Sequence, residues 1–81
     1  MTKEEIRARI SVLSGQERTL SDQQQAALAT CLSFTNLGRA LRPHEIEALN
    51  VANQEYHRIV CEHINVMMDI DFWNTVLTGL P

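Results

Sequence analysis

Eighty-one residues with a formal charge of −3 make one domain, and a chain this short buries only about 60% of the surface that its unfolded form exposes. Two cysteines, Cys31 and Cys61, exclude a disulfide framework, and the opening Met1-Thr2-Lys3-Glu4-Glu5 does not begin a signal peptide. No apolar run reaches the ~20 residues that span a bilayer, so the expected setting is cytoplasmic with both thiols reduced.

The first predicted helix covers residues 2–14. Thr2-Lys3-Glu4-Glu5 reads as a capping box, the Thr2 hydroxyl accepting from the Glu5 amide while the Glu5 carboxylate reaches back. Ile6, Ile10 and Leu13 then recur at steps of four and three, and Ser14-Gly15 reads as the stop. Gln16 to Leu20 is expected as a polar loop. Ser21-Asp22-Gln23-Gln24 reads as a second capping box that opens a helix over 21–37. That helix carries Ala27, Leu28, Cys31, Leu32 and Thr35 on one stripe and ends at Asn36-Leu37-Gly38, or runs on to Leu41 at a cost of about 1 kcal/mol for the glycine.

Arg42-Pro43 marks the next boundary, because proline suits the first helical position and pushes its predecessor out of the helical region. The predicted helix over 43–68 is the longest element. Ile46, Leu49, Asn53, Tyr56, Val60, His63, Met67 and Ile70 recur along it at alternating steps of three and four, with Ala52, Ile59 and Val66 widening the stripe. The stretch from Pro43 to Ile70 would be roughly 40 Å long, more than a globule of this size can cover by itself. Asp69-Ile70-Asp71 offers caps for a last short helix over 71–78, on which Trp73, Val76, Leu77 and Leu80 share a face beside Phe72 and which Gly79 ends.

The sequence thus predicts an all-α protein of three to four helices, with one long helix in its C-terminal half. The first two helices would pack on the first half of the long one. Its second half, with the Phe72–Leu80 segment, would pair with another subunit in a helical homodimer, since a partner copy is the remedy left to a chain without disulfides or metal.

Charge narrows the function classes. Met1 to Arg42 holds six basic and four acidic residues, whereas Pro43 to Pro81 sets Arg58 alone against six acids. Such a split favours antiparallel or cross-subunit packing and offers nucleic acid only the first half. No Gly-rich phosphate loop, catalytic carboxylate pair or nucleophile motif is present, so no enzymatic activity and no cofactor are expected. His57 and Cys61 lie four apart on one helix, with His63 and Cys31 as further potential ligands, but zinc sites usually come as two close ligand pairs and the second pair is absent. A metal-binding reading therefore stands third.

The helix-turn-helix alternative takes Ser21 to Leu41 as two helices, with Arg39 and Arg42 meeting phosphates. Glu45, Glu47, Glu55 and Glu62 on the long helix oppose it. The favoured expectation is a regulatory or adaptor protein that works by binding another protein. Its contact residues are Asn53, Tyr56, Val60, His63, Met67, Phe72, Trp73 and Leu77: an amide on an apolar stripe fixes register against its own copy, and aromatic anchors dominate interface energetics.

Overall fold

A computed structural model describes all residues from Met1 to Pro81. It contains two elements, α1 (Lys3–Thr35) and α2 (Pro43–Thr78), which pack against each other as an antiparallel hairpin. The rod measures 61 × 14 × 14 Å, and its radius of gyration is 18.1 Å, where a compact domain of this length has about 12 Å. The all-α expectation holds. Three or four helices do not: there are two, because the two breaks predicted inside the helical stretches are not breaks.

The predicted stop at Ser14-Gly15 is crossed without interruption, and Gln16 to Leu20 is helix, not loop. A glycine costs a helix interior about 1 kcal/mol, which tertiary packing on either side outweighs. The step of three and four that starts at Ile6, Ile10 and Leu13 runs on through Glu17, Leu20, Gln24, Ala27, Cys31 and Phe34, so one face of α1 meets α2 along its entire length. Ser21 caps nothing, since the chain before it is already helical. The second predicted break fails for the same reason: Asp69-Ile70-Asp71 lies inside α2, and Ile70 and Trp73 carry the packed face across it.

The ends behave as the sequence implies. The Thr2 hydroxyl accepts from the Glu5 amide at 3.2 Å, and that hydroxyl in turn donates to the Glu5 carboxylate, which does not reach the Thr2 amide. Pro43 opens α2, and Gly38 in the connection has a φ of 72°, the left-handed conformation that glycine adopts at least cost.

On α2 the packed face is Glu45, Leu49, Ala52, Tyr56, Ile59, His63, Val66, Ile70, Trp73 and Leu77, and Leu80 continues it just past the helix end. This is the predicted stripe turned by one position: Ala52, Ile59 and Val66 lie in the seam, whereas Ile46, Asn53, Val60 and Met67 flank it. Both faces repeat every 3.5 residues, as in a two-stranded coiled coil. Ile6, Leu13, Cys31 and Ile59 are the only buried residues, and Ile6 alone is fully enclosed. The expectation that the far half of the long helix waits for another subunit is corrected here, because the first turns of α1 already lie against it. One neighbour, however, covers only one side of each helix.

Gly15 lies on the outer side of α1, and a Cβ built there meets nothing within 4 Å. Gly15→Ala should therefore stabilise the hairpin by about 1 kcal/mol, read as a higher urea midpoint with an unchanged m-value.

Candidate functional site

Midway along the apolar seam three polar side chains, Glu17, Gln24 and His63, come together. Glu17 and Gln24 are two turns apart on α1, and His63 of α2 enters between them. His63 Nε2 lies 2.8 Å from Glu17 Oε1, and Nδ1 lies 2.8 Å from Gln24 Oε1, with the imidazole side chain 16% exposed. Nε2–H donates to the Glu17 carboxylate. Gln24 is served either by a second N–H on a charged ring, or by turning its own amide so that its NH2 donates to a neutral Nδ1.

The layer also sets the alignment of the helices. Sliding one helix by a heptad would place His63 between Gln24 and Cys31 or between Ile10 and Glu17, leaving a polar group of the seam without a partner at about 1–3 kcal/mol. Near the open end Trp73 turns its ring toward Arg9, whose guanidinium carbon is 5.6 Å from the ring centroid, in the same register.

The connection is held by a second polar cluster. Arg39 donates two parallel bonds to Glu45, Nη1 to Oε1 and Nη2 to Oε2, each 2.8 Å, and the Arg42 amide donates to the same carboxylate at 2.9 Å. The hydrogen bond from Arg39, and then that from the Arg42 amide, pull the Glu45 carboxyl down to about 2. Farther along α2, Arg58 bonds to Glu55 and Glu62 on the surface and its pKa is raised by those bonds, Glu55 first. Such exposed pairs contribute little to stability.

The two flanks of the seam differ in chemistry. One carries Arg9, Gln16 and Gln23 of α1 and Glu55, Glu62 and Asp69 of α2, and shallow open grooves run along it. The other carries Arg7, Ser14, Ser21 and Leu28 of α1 and Ile46, Asn53, Val60 and Met67 of α2, with Arg18, Leu32 and Ile64 one column farther out. Leu28, Leu32, Ile46, Ile64 and Met67 are between 41% and 51% exposed, and Val60 is half-buried.

The predicted contact residues are thereby divided. Tyr56, His63, Trp73 and Leu77 belong to the seam inside the hairpin, Asn53, Val60 and Met67 to the apolar flank, and Phe72 to the outer face, 58% exposed and edge-on to Trp73 at 5.1 Å between ring centroids. Leu28 and Leu32 of α1 join that flank nearer the connection. Of the residues considered for nucleic acid, Arg39 has its guanidinium engaged by Glu45. His57 and Cys61 are both exposed, and no group of three or more His, Cys, Asp or Glu side chains converges anywhere in the hairpin. No helix is long and apolar enough to cross a membrane. Comparison with known proteins finds no matching family model, no matching characterised protein and no matching solved structure.

Two outcomes follow from these clusters. His63→Ala should destabilise the hairpin by about 1–3 kcal/mol, and a urea double-mutant cycle with Gln24→Ala should return a coupling of at least ~0.5 kcal/mol. The Glu45 carboxyl titrates lower when folded than its ordinary ~4.3, so its stabilisation is complete above that value and is lost as pH falls toward about 2. Glu45→Gln should flatten the pH dependence of stability across that window in acid-unfolding curves followed by circular dichroism.

Proposed function

We propose that this chain is a small non-enzymatic regulatory or adaptor protein that acts through protein–protein contacts as a helical dimer. The observation that carries this reading is the imbalance between surface and interior: eleven large apolar side chains are exposed, and four residues are buried. Single exposed apolar residues are ordinary, but here five of the eleven lie along one flank, and apolar surface gathered on one side of a molecule is a common mark of an interaction surface.

The arrangement suits binding better than catalysis. The grooves are open and shallow, and the single polar layer in the seam satisfies itself. The nucleic-acid alternative draws no support from Arg39, already paired with Glu45, or from the acidic side chains along α2. No observation favours it over a protein partner.

If the hairpin dimerises, its melting temperature should rise with protein concentration, because association stabilises the folded state by mass action. Light scattering should give twice the 9.2 kDa of one chain, falling toward one chain on dilution. A mass of one chain at every concentration, with a constant melting temperature, would overturn the dimer.

A further inference from the structure

We propose that the charge-poor flank lined by Leu28, Leu32, Ile46, Val60, Ile64 and Met67 is where a second copy of this chain docks, closing two hairpins into a four-helix bundle. This rests on the dimer reading above and specifies its face.

Charge is the first argument. From Gln23 to Thr35, α1 carries no charged residue on any side, and Arg18, in the column of Leu32, is the one charge of α1 in the two columns facing the strip, at its Met67 end. On α2 the two columns that form the flank between Ile46 and Met67 are Ile46, Asn50, Asn53, His57, Val60, Ile64 and Met67, and none is Asp, Glu, Lys or Arg. The charges of that half of α2, Glu47, Glu55, Arg58 and Glu62, project elsewhere. The cores of protein interfaces are depleted of charge in the same way.

The second argument identifies the occupant. In a two-fold dimer a patch must be complementary to itself. A strip of apolar and uncharged polar side chains satisfies that condition with little like-charge repulsion, whereas the opposite flank, with Arg9, Glu55, Glu62 and Asp69, is the more charged of the two. Asn53, exposed in the middle of the strip, carries both a donor and an acceptor and so pairs with its own copy.

Area is the third. The strip from Ile46 to Met67 is about 30 Å long and spans two helices of about 10 Å each, on the order of 600 Å² in projection. A standard interface takes roughly 800 Å² of accessible surface from each partner, and interlocking side chains bury more than their projection. Finally, a hairpin with four buried residues needs its cover whenever it is folded, and a second copy is present wherever the first one is made.

The test compares substitutions on the two sides by light scattering and circular dichroism. Val60→Lys and Leu32→Lys should each halve the mass while leaving the chain helical, and Glu62→Lys and Val51→Lys should leave the mass of the dimer unchanged. Asn53→Cys with Cys61→Ala should form an intermolecular disulfide on mild oxidation, a readout that survives if a lysine variant fails to fold. A dimeric wild type with unaffected lysine variants and no cross-link would overturn this face and leave the dimer standing. A monomeric wild type would overturn both.

Discussion

Each helix in this molecule has a single neighbour within the chain, and that constraint governs the rest. A hydrophobic stripe that repeats every 3.5 residues fits a second helix lying nearly parallel to it along the whole contact, and two helices so placed can grow only in length. The chain therefore makes a rod instead of a globule. It keeps its apolar seam closed, and it leaves everything one column to either side half in water.

Away from Glu45 at the turn, the charged and amide side chains of the seam are confined to one level. Glu17, Gln24 and His63 would each be a defect alone, yet together they satisfy one another. Apolar layers can slide past each other at little cost, whereas a hydrogen-bonded triplet fits in one place. Trp73 beneath Arg9 and Arg39 against Glu45 act in the same alignment toward the two ends, so the register is held in the middle, at the open end and at the turn.

What could be read from the residues was what depends on near neighbours. The Thr2 cap, the Arg42-Pro43 start and the glycine in the connection are all decided within four positions, and they were legible. The continuity of α1 was not. Gly15 and Ser21 send local stop and start signals that are sound in an isolated peptide, and contact with a helix some 40 residues away overrides them. The partners of His63 were invisible for the same reason, being 39 and 46 residues distant in sequence. The rotation of the α2 seam by one position was a closer matter. Asn53 and Ile59 each continued a valid pattern, and the face opposite α1, with Ile6, Leu13 and Cys31 at its centre, decides in favour of Ile59.

The positions of the two thiols carry a consequence of their own. Cys31 is enclosed between the helices near the turn, and Cys61 stands in solvent on the outside of α2. An alkylating reagent would reach Cys61 in every molecule at once, but Cys31 only in those whose helices have momentarily parted. The ratio of the two rates is thus a built-in gauge of how often the rod breathes at its closed end.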